Sequence, residues 1–174
     1  MKKILVAVDI QNDFVNGALG TKEALSIIDN AAQKIKNFDG DIFVTYDTHF
    51  DNYMETLEGK KLPVPHCIKH TDGWQLNPKI AAALKDKNYK AVEKFTFGSA
   101  ELPNLIKETI GKDLAEITLI GLCTYICVVS NALLLKANLP ECEIFVDAAC
   151  CAGVTPDTHN AALDTMRCCQ INII

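Results

Sequence analysis

The chain has 174 residues, of which 49% are hydrophobic and 22% charged, and carries a formal net charge of −5. That length suits one domain spanning residues 1–174, with a core large enough to stand without covalent staples. An acidic surface with no lysine or arginine cluster argues against a nucleic-acid partner, and no apolar run approaches the roughly 18 residues of a membrane span.

The opening Met1–Asp9 is basic and then apolar, as a leader peptide would be. The apolar run is too short for that and is broken by Asp9. Ile4–Val8 therefore reads as a first strand, buried on both faces, in a cytoplasmic protein. After a Gly/Asn loop at 16–20, an amphipathic helix is predicted over Lys22–Phe38, with Ala24, Ile27, Ile28, Ala31 and Ile35 at helical spacing. Asp41–Tyr46 reads as the second strand. The segment Asp47–Leu76 is polar, carries Pro63 and Pro65, and is expected to be irregular; loops of that length in compact domains are usually functional. Pro78–Leu84 reads as a helix, Lys90–Phe95 as a strand, Leu102–Ile110 as a helix and Glu116–Ile120 as the fourth strand. A cysteine-bearing helix then runs to about Ala137, followed by strand Cys142–Val146, helix Thr158–Cys168 and strand Ile171–Ile174. This alternation implies an α/β fold, a Rossmann-like three-layer αβα sandwich with a mostly parallel sheet of about six strands.

Ligands of such folds sit at the carboxyl ends of the strands. Asp9, Asp47, His49, Lys94, Cys123 and Cys127 fall there, from four different strands. In Gly121–Ser130 a strand turns sharply into a helix, aiming backbone N–H groups and a positive dipole end at the turn. With Thr124 as N-cap, Cys127 is the third helical residue, where the field would ease loss of its thiol proton. Small buried fillers are the alternative for both cysteines. Asp9 is placed to act as a base on a thiol if burial raises its pKa, and Asp13 to act as a turn residue. Lys94 is either a solvated strand end or the charged partner of Asp9 and a thiolate.

Asp47 and His49, two apart in an extended segment, point to one side. With His66 they offer carboxylate and imidazole ligands for a divalent ion, zinc first, with iron or manganese as alternatives. Glu58, ahead of Glu55, is the further carboxylate. His70 and His159 are expected at the surface. The eight cysteines, in a reducing compartment, form no disulfide framework, and Cys150, Cys151, Cys168 and Cys169 are assigned to core packing.

The segments Val8–Phe14, Asp47–His49, Lys94–Ser99 and Gly121–Val128, in that order, resemble the isochorismatase-like cysteine hydrolase superfamily, most closely its nicotinamidase-related amidases. The likeness covers nearly the whole chain. It implies an Asp9–Lys94–Cys127 triad with Cys127 as nucleophile. It also implies a non-proline cis peptide at Leu122-Cys123 and an oxyanion hole from the amides of Cys123 and Cys127. Phe14 matches a pocket position of that family, and Trp74 is a further candidate for ring contact. Asp47, His49 and His66 would reproduce its metal site; the third histidine of some members has no counterpart, and Glu58 is the substitute. The expected reaction is hydrolysis of a small carboxamide through a thioester, nicotinamide to nicotinate and ammonia, in a homodimer or tetramer. Another small amide, such as a carbamoylated amine, is the alternative substrate, and a non-catalytic α/β binding scaffold the alternative of a different class.

Overall fold

A computed structural model describes residues 1–174. The chain runs β1 (Lys2–Val8), α1 (Asn12–Val15), α2 (Lys22–Ser26), α3 (Ile28–Asn37) and β2 (Asp41–Asp47). A 3₁₀ turn (Tyr53–Glu55), α4 (Leu57–Lys61), α5 (Pro78–Leu84), β3 (Tyr89–Lys94), α6 (Leu102–Ile110) and β4 (Ala115–Leu122) follow. A π-helical turn (Thr124–Val128) leads into α7 (Val129–Asn138), and the chain ends with β5 (Glu143–Ala152), α8 (Pro156–Cys168) and β6 (Asn172–Ile173).

The six strands form one parallel sheet in the order β3-β2-β1-β4-β5-β6. β1 lies at the centre, and residues 4–8 are wholly buried, which explains their unbroken apolar character. Successive side chains of a strand face opposite sides. Ile4, Val6 and Val8 join one core layer with α6, α7 and α8, while Leu5 and Ala7 join a second with α2, α3 and α5. The sheet grows outward from β1 in one direction through β2 and β3 and in the other through β4 to β6. The strand order therefore reverses between β1 and β4, where α/β sheets open a crevice for ligands. Register brings the strand ends level: Val8 lies opposite both Thr45 and Gly121, and Asp47 opposite Lys94.

Three local readings change. The helix expected over Lys22–Phe38 is broken at Ile27 (φ −93°, ψ −8°), so that Ala24, Ile27 and Ile28 all enter one apolar layer. Apolar spacing cannot register such a tightening. The segment after β2 is not irregular throughout, since the Thr56 hydroxyl accepts from Gly59 N at 3.0 Å and caps α4. β5 runs six residues past Val146 to Ala152, taking in Cys150 and Cys151 after a register shift between Leu119 and Gly121.

Gly121 has φ +122°, and a Cβ there would lie 2.1 Å from the Val8 carbonyl oxygen. β4 can approach β1 at its end only because this residue has no side chain. No helix is long and apolar enough to cross a membrane. Gly121→Ala combines a disfavoured backbone with a backbone clash and is expected to destabilise the fold by about 3 kcal/mol or more, read from the urea midpoint.

Candidate active site

Asp9 follows β1 directly and is fully buried, with a positive φ of 49° that aspartate tolerates better than most residues. Its Oδ1 accepts a 2.6 Å hydrogen bond from the Thr45 hydroxyl. Its Oδ2 lies 2.7 Å from Lys94 Nζ without hydrogen-bond alignment and is a buried oxygen with an unused acceptor position. Burial raises the pKa of Asp9, with Lys94 opposing. Lys94 is not a solvated strand end. It is 2% exposed, and its ammonium also meets Asp47 Oδ1 at 3.0 Å, the Thr96 carbonyl at 3.0 Å and Cys127 Sγ at 3.6 Å. Burial works against that charge, but Asp9, Cys127 and Asp47 outweigh it and hold the lysine protonated.

The cysteine turn departs from expectation in two ways. Cys123, not Thr124, occupies the N-cap position, and Cys127 is the fourth residue of the π turn. The Cys123 carbonyl accepts from both Ile126 N and Val128 N at 3.1 Å, while the Cys123 N–H has no acceptor within the chain. The peptide Leu122-Cys123 is cis. The Cys127 thiol is not eased toward ionisation. Burial and then the Asp9 carboxylate push it well above its ordinary value, with Lys94 only partly compensating. A raised thiol pKa keeps the proton on sulfur, beside a carboxylate with a free acceptor position.

Across the same floor, Asp47 divides its carboxylate. Oδ1 faces Lys94, and Oδ2 lies 3.0 Å from His49 Nε2 and 3.5 Å from His66 Nε2. His66 Nδ1 is 2.8 Å from the Val64 carbonyl, which fixes its protonated nitrogen and leaves Nε2 free to ligate. Glu58 Oε1 comes within 3.7 Å of His49 Nε2 and 3.9 Å of His66 Nε2; Glu55 is exposed and takes no part. Donors about 2.1 Å from a central ion stand about 3.0–3.4 Å apart at octahedral and tetrahedral angles. The Asp47, His49 and His66 donor atoms, all within 4.8 Å of one another, can close on a divalent ion, and Glu58 stands near enough to the two imidazoles to join them.

Both clusters open on one cavity of about 340 Å³. Phe14 lines it as expected, its ring 5.5 Å from that of His66. Phe97, Tyr125 and Ile126 from the motif segments add apolar wall, as do Leu19, Leu62 and Val154, which no motif marks. Trp74 is elsewhere, tilted against Tyr46 and donating to the Thr48 hydroxyl at 2.9 Å. His70 is exposed as expected, but His159 is half-buried and bonded to Thr124 at 2.8 Å. Of the cysteines assigned to the core, Cys150 and Cys151 are buried, Cys169 is half-buried and Cys168 is exposed; all eight are free thiols.

Several residues that frame the site gave no signal in the sequence. Buried Gln11 accepts from Asp47 N at 2.8 Å and donates to the carbonyls of Asp47 and Trp74 at 2.9 and 2.8 Å. Asn131 accepts from Ser99 N at 2.9 Å and donates to the Cys127 carbonyl at 2.8 Å. Tyr53 sets its ring edge-on to His49 and His66, at 4.8 and 5.1 Å, and donates its hydroxyl to the Leu62 carbonyl. Asp13, expected as a turn residue, accepts from Cys67 N and Ala18 N and ties two loops together.

A buried acid, a lysine and a thiol at the switch point of a parallel sheet, beside a metal-competent cluster, place the chain among α/β enzymes of the hydrolase class. Residues 3–174 match the isochorismatase domain family, and the chain belongs to it. It is 26% identical to a nicotinamidase/pyrazinamidase of Mycobacterium tuberculosis over 99% of this chain and 98% of that protein. Its structure resembles that of a nicotinamidase/pyrazinamidase from Bacillus subtilis, with a TM-score of 0.88, 26% identity and 99% of both chains covered. The fold also matches a zinc complex of a pyrazinamidase from Pyrococcus horikoshii, with a TM-score of 0.84, 21% identity, and 100% of this chain and 99% of that one covered.

Gln11→Ala leaves three backbone groups around Asp47 without their partner and is expected to cost about 3 kcal/mol. Urea unfolding measures it. Gln11→Glu, which keeps the acceptor but adds a charge next to Asp47, is expected to fare no better.

Proposed function

We propose that this chain, acting as one cysteine hydrolase domain over residues 1–174, hydrolyses a small carboxamide, with nicotinamide giving nicotinate and ammonia as the reaction. The observation that carries the reading is the meeting of Asp9, Lys94 and Cys127 beneath a small cavity that Cys127 lines together with Asp47, His66 and Glu58, with His49 beside Asp47. The nicotinamidase relatives support the amide class and the pyridine amide within it.

Asp9 Oδ2 takes the thiol proton as Cys127 Sγ attacks the amide carbon, and the ammonium of Lys94 steadies the charge on sulfur. The carbonyl electrons move onto oxygen, which the amides of Cys123 and Cys127 receive; the Cys123 N–H is free for this. Collapse breaks the C–N bond, Asp9 returns the proton to the departing nitrogen, and ammonia leaves a thioester. Water then attacks the thioester, giving a proton to Asp9. The acid departs, and sulfur recovers its proton. A raised thiol pKa suits this order, because sulfur is ionised only when a substrate is there to receive it.

A divalent ion on Asp47, His49 and His66, with Glu58 adjacent, would supply a Lewis-acid anchor for the ring nitrogen of the substrate. Zinc is the first choice on ligand type and on the zinc complex of the Pyrococcus protein. Phe14 and Phe97 supply apolar wall for a flat ring.

Ammonia release from nicotinamide by the purified protein tests the reading. Cys127→Ala is expected to lower kcat by at least about a thousandfold. Activity that survives this change excludes Cys127 as nucleophile. Chelation is expected to abolish turnover and added zinc to restore it. A protein that binds zinc but leaves nicotinamide intact acts on another small amide.

A further inference from the structure

The contact between Thr124 and His159 links α8 to the turn that carries Cys123 and Cys127. Thr124 is fully buried, and its hydroxyl has one partner, Nδ1 of His159 at 2.8 Å. Thr124 shares a peptide group with the Cys123 carbonyl. That carbonyl holds the turn together by accepting from Ile126 N and Val128 N, and the carbonyl of Thr124 itself accepts from Val129 N. A rotation of Thr124 therefore reorients the Cys123 peptide and the turn behind it, including Cys127.

His159 is itself held in place. Thr155 and Thr158 form a reciprocal capping box at the start of α8, each hydroxyl meeting the other's backbone N–H at 3.2 Å. His159 is the next residue, and its own N–H donates to the Thr155 carbonyl at 3.1 Å. The preceding loop is equally tight: a Cβ at Gly153 would lie 2.8 Å from both His159 N and the Thr158 hydroxyl. That loop also delivers Val154 to the cavity wall.

We infer that His159 is a positioning residue: through Thr124 it fixes the turn that presents the Cys123 amide and the Cys127 thiol to the substrate. The inference rests on the amidohydrolase reading for its catalytic consequence but not for its structural part. Preorganised donors and nucleophiles lose effect with small displacements. His159 does not line the cavity and lies outside both the acid–lysine–thiol group and the metal-competent cluster.

The test compares His159→Ala, His159→Asn, Thr124→Val and the double variant His159→Ala/Thr124→Val in two measurements. Backbone amide exchange reports the turn itself. Ile126 and Val128 are expected to exchange about tenfold faster in His159→Ala and Thr124→Val, with the C-terminal half of α8 unchanged. Turnover is expected to show kcat reduced by about tenfold to a hundredfold with KM little altered. The double variant should be no worse than the single ones, because both remove the same bond. Asparagine, which can offer an acceptor or a donor to the Thr124 hydroxyl, should restore much of both signals. Unchanged exchange at Ile126 and Val128 in His159→Ala overturns the inference, whatever amide the wild type hydrolyses. Faster exchange with an unchanged kcat overturns the catalytic consequence, and multiplicative losses in the double variant overturn the route through Thr124.

Discussion

A single buried ammonium makes the rest of the site possible. Lys94 extends from the edge strand β3 past Asp47 on β2 to Asp9 beyond β1, with the Cys127 sulfur within 3.6 Å. Removing such a charge from water costs several kcal/mol, and two close carboxylates are needed to offset it. The dependence runs both ways. Without the lysine, two buried carboxylates would face each other and an apolar wall. Together the three form a compact charged group that keeps Asp9 basic enough to accept a proton and Asp47 ionised enough to face two imidazoles. Asp47 accordingly stays far below the usual carboxylate range: burial opposes this, but His49, His66 and Lys94 prevail.

Around this group, uncharged side chains do the aligning. Gln11 grips both backbone groups of Asp47, Asn131 joins the Ser99 turn to the Cys127 carbonyl, and Tyr53 wedges the two imidazoles. Each satisfies backbone groups that would otherwise be buried without partners, so their contribution to stability and to geometry is the same contact.

The sheet and the floor of the site were readable because both follow from periodicity and topology. Apolar runs separated by helical spacing identify parallel strands, and the strand-end rule then gathers Asp9, Asp47, Lys94 and Cys127 without any knowledge of distances. What escaped was set by contacts between residues far apart in the chain. Gln11 and Asp47 are 36 positions apart, and Thr124 and His159 are 35 apart. Neither pair has a spacing that would mark it. Threonine commonly caps helices, which makes Thr124 the expected cap, but its hydroxyl is taken up by His159 and the turn opens as a π helix one residue earlier. The thiol follows the same logic: a helix field is legible in the sequence, whereas the depth of burial and the nearby Asp9 charge that outweigh it arise only on folding. Leu19, Leu62 and Val154 looked like ordinary loop residues, and only the folded chain turns them toward one space.

That last division has an evolutionary meaning. The reactive groups stand on strand ends locked by register, while much of the cavity wall comes from three separate connections: Leu19 before α2, Leu62 after α4 and Val154 before α8. Loops accept substitution more readily than the strands they join, and changes at distant sites act almost independently. Lineages built on this frame can therefore reshape what fits the pocket one connection at a time while inheriting the bond-breaking apparatus intact.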